Sequence, residues 1–406
     1  MMLTTLLKSA RVFMKNLLYR IFDRFTFNQV PYLKFFIEME KKGVDELREF
    51  QLSKLMKLGI NSWAEFYDLP VTTKADLPSS PRFPDEEMRQ HETSGSTGQP
   101  RVVWVPPETW YRKDAIFTRS WRNMGRKNEW VFRLISGEPK YPRYDWFRNV
   151  KAMNYKTLGM EHVAWVVNNK PYLIHGPGGS IRQLCEMIID AGHGPILKGI
   201  KIHWCSESSY GHKERLEPLV KEFHEQYGLA ELPTVGATDG EGNVRAVMEQ
   251  GVVEILDDDG NSTPMGEEGY IIVTDFNNYQ TPIIRYKCGD RAKMKYEDGK
   301  YILYDIVGRG VDYYNGPEVK RAIGWWIVSP ISHTVGDVIS KWRCEVNIPQ
   351  KTLFLHVEFK GSKDYDLLQP YADWVRENVG LDTKFIESEG EDYDIYWKNK
   401  LVRVVT

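Results

Sequence analysis

Short apolar runs alternate with amphipathic stretches through the middle of the chain. Runs rich in β-branched and aromatic residues predict strands at residues 102–105, 164–167 and 200–204. The stretch from Ser180 to Ile189 has apolar residues at helical spacing and predicts a helix. Because strand and helix signals alternate here, we predict an α/β fold, with mixed sheets flanked by helices.

The two ends of the chain have different patterns. Residues 1–60 predict helices, most clearly from Val44 to Leu52. After an acidic turn at 257–260 and a glycine cluster at 308–316, the pattern indicates a small separate unit. We therefore predict a large N-terminal domain (1–308, with 1–60 as its helical lead-in) and a small mobile α+β C-terminal domain (309–406). The further predicted elements are strands at 252–256, 270–274, 301–304 and 353–359, and a helix at 371–376.

Length, charge and cysteine content narrow the class of protein. The chain has 406 residues, which exceeds the usual size of a single core. Its formal net charge of −2 is spread along the chain, so no nucleic-acid partner is expected. The four cysteines form no Cys-x-x-Cys pair, so neither a disulfide framework nor a four-cysteine zinc site is predicted, and a reducing, cytoplasmic location is expected.

The N-terminal segment from Leu3 to Phe27 mixes apolar residues with recurrent Lys and Arg. Charges recur too often for a secretory signal or a transmembrane helix, so neither is predicted. Two interpretations remain open, namely a basic helix on a membrane surface or a helix packed on its own protein. The sequence leaves the oligomeric state undetermined.

A hydroxyl-rich glycine loop carries the strongest chemical signal. Its residues are Thr93, Ser94, Gly95, Ser96, Thr97, Gly98, Gln99, Pro100 and Arg101. The two glycines allow tight backbone turns, so several N–H groups can converge on an anion, and the hydroxyls and the guanidinium add donors for phosphate oxygens. A solvated linker of the same composition is the alternative at this point.

This loop resembles the Thr/Ser-Ser-Gly-Ser/Thr-Thr-Gly-x-Pro-Lys loop of adenylate-forming enzymes, with Arg101 at the usual lysine position. Residues 69–77 are similar to the segment that precedes this loop in phenylacetate–CoA ligases and their CapK-like relatives. Five further segments match that family's motifs in the same order, at residues 204–208, 235–242, 282–290, 308–312 and 399–405. The matches run from Leu69 to Arg403 and so cover most of the chain.

The resemblance implies an ATP-dependent ligase that activates a small carboxylic acid as its acyl-adenylate. The loop residues Thr93, Ser94, Gly95, Ser96, Thr97, Gly98 and Arg101 would bind the β and γ phosphates. Ser206, Glu207, Gly236 and Ala237 would contact the nucleotide, Asp290 would accept hydrogen bonds from both ribose hydroxyls, and Arg309 would lie near ribose or phosphate. Lys400, Thr238 and Asp239 would be catalytic, with Lys400 stabilising charge at the α-phosphate.

Asp239 stands where the family has a glutamate that binds Mg²⁺. Its carboxylate is shorter by one C–C bond, about 1.5 Å, so a water could complete the Mg²⁺ shell, or Glu241 could serve instead. Outside the family context, Asp290 could equally cap a turn, and Arg309 and Lys400 could be ordinary surface residues.

The resemblance leaves more than one function open. The first is transfer of the acyl group to CoA. The second is transfer to an amine or hydroxyl of a sugar or other metabolite. The third is a catalytically degenerate homologue that only binds nucleotide, and the fourth is an unrelated α/β protein with a fortuitous loop. The identity of the acid is not encoded in any motif.

Overall fold

The computed structural model describes residues 24–92, 102–136, 144–145, 149–206, 209, 213–307, 338–359, 361–387 and 402–405. The α-helices of the described residues are α1 (Arg24–Met39), α2 (Val44–Lys57), α3 (Trp63–Asp68), α4 (Glu108–Asn123), α5 (Met160–Asn169), α6 (Gly178–Asp190), α7 (Lys213–Leu216) and α8 (Gln369–Val379). Short 3₁₀ helices lie at Lys74–Asp76, Tyr155–Thr157, Gly194–Gly199, Glu217–Leu219 and Tyr365–Leu368.

Helix α2 shows why the N-terminal region is helical. Glu46 accepts a hydrogen bond from the N–H of Gly43, which satisfies a donor at the helix start. Leu47, Gln51 and Leu55 follow at intervals of one helical turn and are buried on one face. The helix predicted from Val44 is therefore confirmed. The basic segment from Leu3 to Phe27 lies largely outside the described residues, and no helix of the described part of the chain is long and apolar enough to cross a membrane.

A six-stranded sheet occupies the middle of the chain, with strand order β4-β5-β3-β6-β7-β8. Only β4 runs antiparallel to its neighbour. Apolar residues of the sheet pack on both of its faces, against α5 and α6 on one side and α4 on the other, as parallel sheets require. The strands are β3 (Val131–Ile135), β4 (Tyr144–Asp145), β5 (Val150–Asn154), β6 (Leu173–Pro177), β7 (Lys201–Cys205) and β8 (Glu222–Glu225).

One predicted strand in this region is wrong. Residues 164–167 belong to α5, which runs from Met160 to Asn169. The buried residues Val163 and Val166 are three positions apart, so a helical face contacts the core. A four-residue apolar run does not distinguish the two structures, and its neighbours decide.

A second six-stranded sheet is entirely antiparallel, with order β11-β12-β13-β14-β10-β9. Two further strands, β1 (Arg89–Glu92) and β2 (Val102–Val105), pair antiparallel in a separate two-stranded sheet. The strands of the second sheet are β9 (Gly236–Thr238), β10 (Val244–Ala246), β11 (Gly251–Leu256), β12 (Glu268–Asp275), β13 (Tyr286–Glu297) and β14 (Lys300–Val307). The strands predicted at 102–105, 200–204, 252–256, 270–274 and 301–304 are thus confirmed.

The C-terminal residues form a mixed four-stranded sheet with its own core. Its order is β17-β16-β15-β18, and α8 packs Tyr371 and Val375 against it. The strand predicted at 353–359 and the helix predicted at 371–376 are confirmed. The predicted fold class, mixed sheets flanked by helices with a small α+β unit, is confirmed as well. The strands are β15 (Ile339–Asn347), β16 (Thr352–Phe359), β17 (Asp382–Glu387) and β18 (Val402–Val405).

A buried charge network joins α4 to the second sheet. Arg119 of α4 is bonded to Glu249, and the two side chains are 3% and 0% exposed. Arg245 of β10 lies 4.0 Å from the same glutamate and 3.4 Å from Glu40. Burial raises the pKa of Glu249, but the two guanidinium groups outweigh it, so that pKa lies below its usual value.

Candidate active site

The predicted site begins at the carboxyl end of the parallel sheet. Ser206 directly follows β7, is exposed, and has a left-handed backbone with φ of 69°, which is uncommon for a residue with a Cβ. The N–H of Gln226, just after β8, donates to the carbonyl oxygen of Trp204 in β7 at 2.9 Å. Ser206 and the end of β8 therefore lie at the same edge, where open α/β sheets generally bind ligands.

Tyr227 connects this edge to the second sheet. Its N–H donates to the carbonyl of Gly236, and the N–H of Gly236 donates back, both at 3.0 Å. Gly236 is tightly packed, because a Cβ there would meet Val244 at 2.6 Å. The predicted nucleotide-binding residues Gly236 and Ala237, both buried in β9, are thus held beside the parallel sheet.

Asp290 lies in a bulge of β13. Lys287 pairs with Ile272 and Arg291 with Tyr270, so three residues of β13 stand opposite one residue of β12. Gly289, inside this bulge, has φ of 92°, a conformation that glycine adopts without strain. Bulges often re-aim a side chain beside a functional site.

The hydroxyl of Tyr227 donates to Asp290 Oδ2 at 2.7 Å. Burial, and after it the neighbouring Asp290, raise the pKa of Tyr227 well above its usual value, so the tyrosine stays protonated and donates. Tyr227 therefore contacts both the Gly236 strand and the predicted ribose-binding carboxylate. No sequence motif identifies Tyr227, and its position just after β8 and just before a glycine is a weak indication of a functional role.

Thr238 ends β9 and is 2% exposed. Its Oγ1 accepts a hydrogen bond from the N–H of Gly240 at 3.1 Å and lies 3.1 Å from Nδ1 of His224. His224, in β8, was not among the predicted site residues. Sequence spacing alone contains no signal for a contact between the second sheet and a histidine of the first.

Asp239 closes the turn between β9 and β10. Its Oδ1 accepts from the N–H groups of Glu241 and Asn243, its Oδ2 accepts from the Asn243 amide, and its side chain is 3% exposed. Burial and these three hydrogen bonds leave Asp239 little room for direct Mg²⁺ coordination, whereas a water-bridged contact fits. Glu241 is exposed and is the better fit of the two. Within the described ranges, no group of three or more His, Cys, Asp or Glu residues is arranged to hold a metal ion.

Gly240 and Gly242 in this turn offer a matched pair of substitutions. Both have positive φ, 92° and 97°, but a Cβ at Gly240 would lie 2.1 Å from the carbonyl oxygen of Asn123, whereas nothing lies within 4 Å at Gly242. We expect Gly242→Ala to lower the free energy of unfolding by about 1–2 kcal/mol. Gly240→Ala should lower it by about 1–3 kcal/mol more, through overpacking. Denaturant melts of both variants measure the difference, and equal losses would contradict the close contact.

The remaining predicted site residues lie outside the described residues. They are Thr93, Ser94, Gly95, Ser96, Thr97, Gly98, Arg101, Glu207, Arg309 and Lys400. The structure does describe the two ends of the glycine loop, where Glu92 pairs with Val102 in the two-stranded sheet of β1 and β2. The loop therefore connects two antiparallel strands.

A cavity of about 400 Å³ lies away from these residues, between α2 and the second sheet. Two of its polar lining residues already have partners. Gln51 donates to two backbone carbonyls, and Arg285 pairs with Glu254. None of the predicted site residues lines it, so we do not assign the chemistry to this cavity.

Comparison with solved structures shows that the chain shares the fold of 2-hydroxyisobutyryl-CoA ligase. A crystal structure of 2-hydroxyisobutyryl-CoA ligase in the postadenylation state, in complex with 2-HIB-AMP, matches with a TM-score of 0.58 and 18% identity, over 88% of this chain and 85% of that chain. The same ligase with 2-HIB-AMP and CoA in the thioesterification state gives 0.54 and 17% identity, over 87% and 85%. At this identity the likeness shows the fold alone. No protein-family model matches the chain, and no curated protein matches it.

Proposed function

We propose that the chain is an AMP-forming ligase of the phenylacetate–CoA ligase-like branch, which activates a carboxylic acid with ATP and transfers the acyl group to CoA in the cytoplasm. The observation that carries the proposal is the meeting of the predicted nucleotide motifs at one sheet edge. The chain just after β8 hydrogen-bonds to all three regions: Gln226 to Trp204, two residues before Ser206, and Tyr227 to both Gly236 and Asp290. The structurally similar ligase was crystallised with an acyl-adenylate and CoA, and this analogy at the level of the fold supports the same reaction class.

The chemistry requires positioning and charge stabilisation. Attack of a carboxylate on the α-phosphate develops negative charge on phosphate oxygens. Asp290 would accept the ribose hydroxyls, Thr238 and the glycine loop would bind phosphate oxygens, and Lys400 would stabilise the developing charge. Mg²⁺ held by the exposed Glu241 would neutralise phosphate charge. We further propose that residues 309–406 form the lid domain over the body formed by residues 1–308.

Exchange of pyrophosphate into ATP, dependent on an added acid, tests this function. We expect exchange with at least one acid of a panel of aryl, fatty and amino acids, followed by consumption of the acyl-adenylate when CoA is added. Consumption only with an amine or a hydroxyl compound would instead indicate the CapK-like transfer. ATP binding without exchange across the panel would indicate a degenerate homologue, a candidate that the hydrogen-bonded Asp239 favours.

Tyr227 offers a direct test of the ribose site. Tyr227→Phe removes the hydroxyl that orients Asp290, so we expect the KM for ATP in the exchange reaction to rise about tenfold, with kcat and the KM for the acid little changed. Tyr286→Phe is the matched control, because that hydroxyl also donates to a carboxylate at 2.7 Å, but to Glu231 Oε1 in place of Asp290. Equal kinetics in the two variants would contradict the role of Tyr227.

A further inference from the structure

A hydrogen-bonded chain runs from the protein surface to Thr238. Glu222 is 39% exposed, and its Oε2 lies 2.5 Å from Lys201 Nζ and 2.9 Å from His224 Nε2. The side chain of His224 is 3% exposed, and its other ring nitrogen, Nδ1, lies 3.1 Å from Thr238 Oγ1. The order of contacts is therefore Lys201, Glu222, His224 and Thr238.

The protonation of His224 sets the direction of the Thr238 hydroxyl. A neutral imidazole carries one N–H, and an ionised carboxylate only accepts, so the proton stays on Nε2 and faces Glu222. Nδ1 is then an acceptor, and the hydroxyl of Thr238 must donate to it. In this state the hydroxyl has no proton left for a bound anion.

A second proton on the ring reverses this hydrogen bond. Nδ1–H then donates to Thr238 Oγ1, which also accepts from the N–H of Gly240. A hydroxyl has two acceptor positions and one donor, so both acceptor positions are filled and the donor is released. The released proton can donate to a phosphate oxygen.

We propose that His224 is a positioning residue which couples the binding of a nucleotide phosphate at Thr238 to the uptake of one proton from solvent. The inference rests on the proposed function and extends it. The proton adds to Nδ1 of His224, and no other covalent bond forms or breaks. The half-exposed Glu222 gives the Glu222–His224 pair its contact with water.

The groups around His224 determine how the affinity for phosphate should change with pH. Glu222 lies on the same strand, Lys201 and His203 lie on β7, and Asp239 follows β9. Burial lowers the pKa of His224, and this outweighs the opposing effect of Glu222, so the ring is neutral in the free protein at neutral pH. A bound phosphate adds a negative charge and raises that pKa. Affinity for the phosphate should therefore increase as the pH falls through the pKa of the bound state, and level off below the pKa of the free state.

Calorimetry on the full chain tests the coupling. The ligand is adenosine 5′-(methyl phosphate), a phosphodiester that does not titrate near neutral pH, and adenosine is the matched ligand without phosphate. Binding is measured without Mg²⁺ in buffers of different ionisation enthalpy. The wild type should take up protons with the phosphodiester, up to one per site as the pH decides, and none with adenosine.

Variants separate the hydrogen-bond coupling from a simple charge effect. His224→Asn keeps a donor near the Nδ1 position but does not titrate, so uptake should vanish and affinity should no longer change with pH over the range in which that of the wild type changes. Thr238→Val should abolish uptake and weaken phosphodiester binding about tenfold, with adenosine binding unchanged, whereas Thr238→Ser should keep both. His162→Asn, a fully buried histidine of α5 outside this chain of contacts, should behave as the wild type.

Each contrary result has one meaning. Uptake that persists in Thr238→Val would overturn the coupling, because the phosphate charge alone would then protonate His224. Phosphodiester binding by the wild type without uptake would overturn the role of His224 and leave the nucleotide site standing. Failure of the wild type to bind either ligand would overturn the proposed function, and this inference with it. The Thr238 pair carries the test even if His224→Asn does not fold.

Discussion

Replacing Lys400 by alanine is expected to lower acid-dependent pyrophosphate exchange by about a hundredfold or more, the usual effect of removing one group that stabilises transition-state charge. Strand β18 begins two residues after it, at Val402, and pairs in parallel with β15 in the C-terminal sheet. The proposed function brings Lys400 to the α-phosphate, where a compact point charge is most effective.

The measurement is the exchange rate at saturating ATP and acid. Lys384→Ala is the control, since Lys384 is an exposed lysine on β17 of the same sheet. This variant should catalyse exchange at the wild-type rate. An unchanged ATP affinity in Lys400→Ala would locate the loss in the chemical step. Exchange close to the wild-type rate would show that the role assigned to Lys400 is wrong.

Glu249→Gln is expected to lower the free energy of unfolding by about 3 kcal/mol, because it removes the charge nearest to the buried guanidinium of Arg119 and leaves only Glu40, at 4.0 Å. The change keeps the side-chain volume, so little of the loss arises from a cavity. Glu297→Gln is the control, since its pair with Lys295 is exposed and should contribute nothing measurable.

The pH dependence of this loss follows from the lowered pKa of Glu249. A glutamate whose pKa is lower in the folded state adds stability above its unfolded pKa, about 4.3, and that stability disappears as the pH falls through the folded pKa. The wild type and Glu249→Gln should therefore differ at neutral pH and converge in acid. Denaturant melts from neutral pH downward measure this, and a difference that grows in acid would contradict the ion pair.

Local pattern predicted much of this fold. Helices α2 and α6 and most central strands follow from spacing alone, because each has a continuous buried face. The wrong strand at 164–167 shows the limit, since a short apolar run fits either structure until its neighbours pack. The order of the motifs was enough to predict the class of fold.

The site was less accessible from sequence. Ser206, Gly236, Thr238 and Asp290 were selected by resemblance, but their supporting contacts join residues that are distant along the chain. Neither Tyr227 beside Asp290 nor His224 beside Thr238 follows from any spacing rule. The turn-closing contacts of Asp239 were equally unpredictable, because side-chain direction depends on the backbone of the turn.

In the bulge of β13, the direction of the Asp290 side chain depends more on the number of residues than on their identity. Side chains alternate between the two faces of a strand, so removing one residue between Lys287 and Arg291 would rotate everything on one side of the gap to the opposite face. Point substitutions there can leave the Asp290 carboxylate directed at the Tyr227 hydroxyl, whereas a one-codon deletion would direct it away. Natural variation in this stretch should therefore consist of exchanges at constant length.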